Sequence, residues 1–372
     1  MSIHPQHRAI AAAISAGVPV HIEGNPGEAK TATLEDWGTR WGRHVEVITG
    51  SSRDKGDFMG MPVEVDGEVV YSPPQWVRKL QAADKGLLVL DELQSSSESF
   101  EISMRIVQER VVGEAPLHEG VSIVAISNPV DVAVNGQELP APLANRFMHA
   151  EWHFDFNAWA EGLLTDFRDT EVPDLRAILS DPEDRDDLAA EIRGSVLAFL
   201  RDRVDLQAKV PTDLVKASKG WPSPRSWTNA IRAMSHLPKS DHAARDLILI
   251  GCVGQGAATE YIQWVETQDL HNPREVMDDP SIVDWSNERP DRLFALVTAV
   301  RGIAMSSGDV KDWKKGMAVL VACAEGGKPD AAAPGARQML RDMPSAAKMP
   351  RGTREAFGPM MERIGMRDRA KV

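Results

Sequence analysis

The sequence predicts an α/β fold, with a parallel sheet in roughly the first 155 residues and an all-helical region after it. Two observations carry the prediction. From residue 18 to about 153, short apolar runs alternate with amphipathic stretches, the pattern of strands joined by crossover helices. One of those runs, Leu87-Leu88-Val89-Leu90, is aliphatic throughout, as a strand covered on both faces must be.

Residues 19–23 read as the first strand, leading into a glycine-rich loop, and a helix is expected from 29 to about 41. Residues 45–48 read as the second strand, 87–90 as the third, 121–126 as the fourth and 149–154 as the fifth. Residues 55–72 exceed a minimal α/β unit and read as an inserted hairpin turning at Asp66-Gly67. Its apolar Phe58-Met59-Gly60-Met61 tip either faces a central pore or a partner, or folds back on its own domain. Helical spacing covers 97–109, where Phe100, Ile102, Met104, Ile106 and Val107 supply apolar positions. A short second hairpin is expected around 109–117.

Beyond 155 the acidic stretch 181–187 reads as a linker, and helices are expected at 187–205, 225–236, 243–265, 290–306 and 309–324. The Ala/Gly/Pro-rich stretch 325–336 reads as another linker, and 337–372 as a helical tail. That tail is basic and carries methionines, so it either docks a partner or is a solvated terminus.

Composition bounds the function. At 372 residues the chain can bury a large core and form two domains, and 42% hydrophobic with 26% charged residues is a globular balance. No apolar run approaches the roughly 18 residues of a bilayer span, and no apolar core follows a basic start, so a cytoplasmic protein is expected. The net charge of −13 disfavours a broad nucleic-acid footprint, although a small basic channel would escape that argument. Cys252 and Cys323 form no framework and are expected to be buried hydrophobes. The histidines show no metal-binding spacing; His149 and His153, four apart in the expected fifth strand, read as structural. Trp37, Trp41 and Trp76 are expected to pack the α/β region.

The chemistry concentrates at Gly24-Asn25-Pro26-Gly27-Glu28-Ala29-Lys30-Thr31, at the end of the first strand. Glycines let backbone N–H groups turn inward around phosphate oxygens, a lysine meets the β- and γ-phosphates, and a hydroxyl ligates Mg²⁺. Residues 24–32, through Ala32, are thus a candidate ATP-binding set, with the following helix presenting its positive end. Ala29 stands where glycine commonly precedes the lysine; being small and helix-compatible, it is expected to be tolerated. Asp91-Glu92 end the third strand at the sheet edge where ligands of such sheets bind. Asp91 would hold Mg²⁺ with Thr31, and Glu92 would polarise the attacking water. Asn128 ends the fourth strand and could reach the γ-phosphate, unless it merely caps a turn before Pro129. Arg146 could reach a neighbouring subunit's site as a finger, unless it is a surface arginine ending a helix. Arg225 begins a helix in the second region and could sense the nucleotide there, unless it pairs with a local acid.

In this order the motifs resemble the MoxR family of AAA+ ATPases over about residues 5–240. The loop matches that family's form of the Walker A motif, including the alanine. Leu90-Asp91-Glu92-Leu93 resembles its Walker B end, and residues 104–111 resemble the helix and hairpin that follow. Asn128 falls at the sensor 1 position, Arg146 at the finger and Arg225 in the sensor 2 Ser-Pro-Arg block. The resemblance implies an AAA+ P-loop core with a hairpin inserted near helix 2. It implies a nucleotide-binding domain, expected at 1–155, and a helical lid; the connecting segment at 156–186, the lid's extent over 187–330 and the helical tail at 331–372 are read from the helical patterning beyond the resemblance. It also implies a hexameric ring, chaperone-like remodelling or maturation of protein complexes, and a partner with a von Willebrand factor A domain. The departure is Leu93-Gln94-Ser95-Ser96, where the family more often has Ile-Asn-Arg-Ala; hydrolysis should survive, but coupling between neighbours could differ. Two other readings stay open: a slow nucleotide switch or assembly scaffold, and a DNA-acting motor.

Overall fold

The structure is a computed structural model describing residues 3–50, 60–95, 97–133, 136–167 and 172–363. Its strands are β1 (Val20–Glu23), β2 (His44–Thr49), β3 (Met61–Val65), β4 (Glu68–Ser72), β5 (Gly86–Asp91), β6 (Val111–Val112), β7 (Ala115–Pro116), β8 (Val121–Ser127) and β9 (Met148–Glu151). Five of them form a parallel sheet in the order β2-β5-β8-β1-β9. Every carboxyl end therefore lies at one edge, with Thr49 opposite Asp91 and Glu23 opposite Ser127. Leu87, Leu88 and Val89 are wholly buried, as their aliphatic run predicts.

The two hairpins form at β3–β4 and β6–β7, the first turning at Asp66 and Gly67, both at positive φ. Phe58 and Met59 lie outside the described residues, and Met61 begins β3, well exposed. The fifth strand ends at Glu151, short of the expected Phe154, because the chain leaves the sheet to cap the next helix with Asp155.

The helices are α1 (Pro5–Ser15), α2 (Lys30–Arg40), α3 (Gln75–Ala82), α4 (Ser97–Glu109), α5 (Ala141–Ala144), α6 (Phe156–Leu164), α7 (Leu175–Ile178), α8 (Pro182–Asp202), α9 (Leu214–Ala217), α10 (Pro224–Met234), α11 (His242–Val253), α12 (Gln255–Gln268), α13 (Pro273–Asp278), α14 (Pro290–Ser306), α15 (Val310–Glu325), α16 (Pro329–Arg341) and α17 (Thr353–Arg363). Two compact units result: Met1–Ser180 with Leu206–Thr259, and Asp181–Asp205 with Glu260–Val372. In the first, α11 packs against α1, α10 and β9. In the second, α8 lies along α14, where a Cβ on Gly194 would stand 2.5 Å from the Ala295 carbonyl oxygen. Arg274 there donates to Asp187 at 2.7 Å and to Asp312 at 2.8 Å.

Three expected segments differ. The acidic stretch 181–187 is the start of α8: Pro182 takes the first helical position and Glu183 and Asp184 complement the dipole. The stretch 325–336 is largely helical too, because Pro329 opens α16 and Ala332, Gly335 and Ala336 are small enough to bury. The helix expected over 243–265 is broken at Gly254, whose φ of +81° ends α11. In the tail, Phe357 and Met361 join the core of the second unit, and residues 364–372 lie outside the described residues.

The clearance around α2 yields a stability prediction. A Cβ on Gly38 would lie 2.5 Å from Val45 Cγ2 and 2.9 Å from Leu87 Cδ2. Alanine in a helix interior gains about 1 kcal/mol over glycine, whereas overpacking a core costs about 1–3 kcal/mol. Gly38→Ala should therefore be a net loss, seen as a lower urea midpoint; an unchanged or higher midpoint would refute it.

Candidate functional site

The loop between β1 and α2 is held at both ends. Gly24 N donates to the Ser127 carbonyl at 3.2 Å, fixing the loop's start to the end of β8. Position 24 has no room for a side chain, since a Cβ would stand 2.5 Å from Trp152 Cβ. Pro26 is exposed at the crest, Gly27 turns with φ +83°, and Ala32 is exposed in the first turn of α2. Ala29 sits at the N-cap of α2 with φ +57° and ψ +22°. This left-handed conformation is why glycine suits the position, and alanine there costs roughly 1 kcal/mol. Ala29 thus stands just before the helix, and its helix compatibility is not what lets it fit.

Lys30 is the first residue of α2, and its buried ammonium turns back into the loop. It donates to the carbonyls of Gly24 and Asn25, each at 2.6 Å, and to Asn128 Oδ1 at 3.1 Å. Burial lowers its pKa, opposed by the charges of Glu28 and Asp91. Glu28 accepts from the backbone N–H and side-chain Nδ2 of Asn25, both at 3.1 Å. Thr31 Oγ1 donates to Asp91 Oδ2 at 2.8 Å, and Asp91 Oδ1 accepts from the Glu92 N–H at 2.9 Å. The adjoining hydroxyl and carboxylate are hard oxygen donors of the kind Mg²⁺ takes. Among the described residues no group of three or more His, Cys, Asp or Glu side chains could hold a metal.

Glu92 takes φ +53°, a conformation held only where the surroundings over-determine it. It turns the chain from β5 into a 3-10 turn at Leu93–Ser95. That turn carries Gln94 to the end of β8, where its Nε2 donates to the Asn128 carbonyl at 2.6 Å. Gln94 is buried, and its Oε1 has no partner among the described residues. It lines a small polar cavity with His21, Glu23, Ser127, Asn128 and Glu138.

Arg146 and Arg225 form a second group. Arg146 follows α5, half-buried, and donates to the Pro142 carbonyl and to Gln108 Oε1, while its Nε has no partner among the described residues. Burial lowers its pKa, and the positive charge of Arg225 lowers it further. Arg225 is exposed in the first turn of α10, where the dipole is also positive. Among the described residues neither arginine forms an ion pair or bonds to the phosphate loop.

Lys30 is thus bonded to Asn128 and Thr31 to Asp91, Glu92 adjoins Asp91, and among the described residues neither arginine is bonded to this group. Sequence reasoning missed Gln94 as a support for Asn128, visible there only as a departure from the family pattern. It also missed the pairing of His21 with His149, whose signal was a histidine inside an aliphatic strand. His149 and His153 do not share a strand face: β9 ends at Glu151, and the ring of His153 stacks on His4 at 3.7 Å.

The fold and loop define a P-loop α/β protein with an additional helical unit. No family model matches the chain, and no curated protein matches it. Among solved structures, a protein of Cytophaga hutchinsonii provisionally named an ATPase is similar at 15% identity, with a TM-score of 0.40 over 70% of this chain and 86% of that one. A likeness of that size carries no argument about chemistry, which rests on the geometry above. Among the described residues no helix is long and apolar enough to cross a membrane.

Proposed function

We propose that this chain is an ATP hydrolase resembling the MoxR proteins, with a nucleotide site shared between subunits of a hexameric ring. The observation that carries the reading is the two hydrogen-bonded pairs, Lys30 with Asn128 and Thr31 with Asp91, at the carboxyl edge of the sheet, with Glu92 beside Asp91. Lys30 would exchange its carbonyl partners for phosphate oxygens. Thr31 and Asp91 would hold Mg²⁺, which when bound neutralises phosphate charge. Glu92 would orient and polarise the attacking water, and Asn128, held by Gln94, would fix the γ-phosphate side of the site.

The arginine pair supports a shared site. Two cations, one in the first turn of α10 and lowering the pKa of the other, with no ion pair to an acid among the described residues, offer a place for an anion. Since neither bonds to its own phosphate loop, a neighbour's triphosphate is the anion we assign, with Arg146 as the finger and Arg225 beside it. On this reading the ring remodels or matures a protein complex together with a von Willebrand factor A-domain partner. The net charge of −13 argues against a DNA-acting motor.

Glu92→Gln tests the chemistry. ATP affinity and assembly should persist while turnover falls by about 100-fold or more, the range for losing a general base. Negligible turnover in the assembled wild type would instead favour the slow switch.

A further inference from the structure

Two histidines of adjacent strands lie between the phosphate sensor and the finger. His21 on β1 pairs in register with His149 on β9, and their Nδ1 atoms are 3.2 Å apart. His21 Nε2 lies 2.8 Å from Ser127 Oγ, the last residue of β8, and His149 Nε2 lies 2.9 Å from the Ala144 carbonyl oxygen. The carbonyl fixes the direction of the whole chain. It can only accept, so His149 Nε2 carries the proton and its Nδ1 presents a lone pair. His21 Nδ1–H must then donate to His149, which leaves His21 Nε2 as the acceptor from the Ser127 hydroxyl. Each group has one role, and no tautomer can change without breaking the chain.

The ends of this chain reach functional residues. Ser127 precedes Asn128, which holds Lys30. Ala144 precedes Asn145 and Arg146. Asn145 is buried; its Nδ2 donates to the Trp221 carbonyl at 3.0 Å and its Oδ1 accepts from Ser223 Oγ at 2.7 Å. Ser223 caps α10, the helix of Arg225, and Asn229 on that helix donates to the Arg146 carbonyl at 3.3 Å. A continuous path of hydrogen bonds and adjacent residues therefore runs from the phosphate loop to both arginines within one compact unit. Burial keeps both imidazoles neutral, as this one-way chain requires, pushing His149 down to about 4 and His21 well below its usual value.

We infer that His21 and His149 are positioning residues, through which the end of β8 beside Asn128 sets the pose of the Ala144–Arg146 turn offered to the neighbouring subunit. This rests on the shared-site reading above. It differs from a packing role in one respect: a packing defect harms a subunit's own site, whereas a misplaced finger harms the site of its neighbour.

That difference gives the test. His149→Phe keeps the ring shape and breaks the chain. The double variant His21→Phe/His149→Phe removes both imidazoles together, so that no buried ring nitrogen is left without its partner. Alone, each assembled variant should bind ATP with affinity close to wild type and turn over roughly 10- to 100-fold more slowly, as expected for a displaced catalytic group. Mixed with Lys30→Ala subunits, which bring intact fingers but no working loop, turnover should recover; Arg146→Ala mixed in the same way is the control. Recovery with Arg146→Ala but with neither histidine variant would overturn the relay and leave the imidazoles structural. Failure of the Arg146→Ala control in verified mixed rings would overturn the shared-site reading, and the relay with it.

Discussion

Lys30→Ala should lose ATP binding by about 100-fold or more and, in the same variant, loosen the loop that the lysine now holds. The ammonium donates to two loop carbonyls at 2.6 Å and to Asn128 at 3.1 Å. Hydrogen bonds to a charged group contribute about 1.5–3 kcal/mol each, and about 1.4 kcal/mol is tenfold in affinity. Losing even one net charged contact to phosphate therefore reaches one to two decades, and the loop's disorder adds to it. Without the cation, the Gly24 and Asn25 carbonyls lose their shared donor and Asn128 loses a link to the loop. Lys30→Arg should not rescue, because a planar fork cannot place one cation at three acceptors arranged around a point charge. Titration with a fluorescent ATP analogue checks the affinity, and hydrogen exchange of residues 24–30 checks the loop. ATP affinity within a few-fold of wild type in Lys30→Ala would refute the assignment of the site.

The sheet was legible because burial on both faces forces aliphatic runs, and the end of such a run marks the edge where ligands bind. Leu87 to Leu90 gave both a strand and the place of Asp91. The phosphate loop was legible because few residue types serve it. What escaped the sequence depends on neighbours far along the chain. His21 and His149 are 128 residues apart and meet only because β1 and β9 are paired in one register. Gln94 looked like an aberration until the left-handed turn at Glu92 carried it beneath the Asn128 carbonyl. Spacing likewise found the α10 and α11 helices without saying that they pack with the sheet's unit, since periodicity reports a face but not what covers it. Composition misled where helices begin: acids and a proline read as a linker at 181–187, although both belong in a first turn.

Acid should destabilise the protein as pH falls from 6.5 toward about 4, a loss that begins above the range where carboxylates protonate. Burial holds His7 and His149 down at about 4, and holds His21 well below its ordinary value. In the unfolded chain each returns to 6.5. Above pH 6.5 neither state gains a proton, so the folded state keeps its full stability. As pH falls from 6.5 toward 4, the unfolded chain takes up protons that the folded one refuses, and unfolding is favoured. Each such group contributes about 1.4 kcal/mol per pH unit, so His149 alone costs on the order of 3 kcal/mol by pH 4. That is a large share of the roughly 5–15 kcal/mol that domains possess. The loss levels off for a given histidine once the pH passes below its folded value. Lys219, close enough to lower both His21 and His149, reinforces the refusal, whereas the His149 bond to the Ala144 carbonyl opposes it. Urea midpoints measured from pH 7.5 down to 4.5 should therefore decline through this window. The His21→Phe/His149→Phe variant should show a shallower decline, because the groups that take up protons on unfolding are gone. Equal midpoints at pH 7 and pH 5 would mean that the folded protein protonates these imidazoles readily. The one-way chain from Ser127 to Ala144 would then have no neutral histidines to run through.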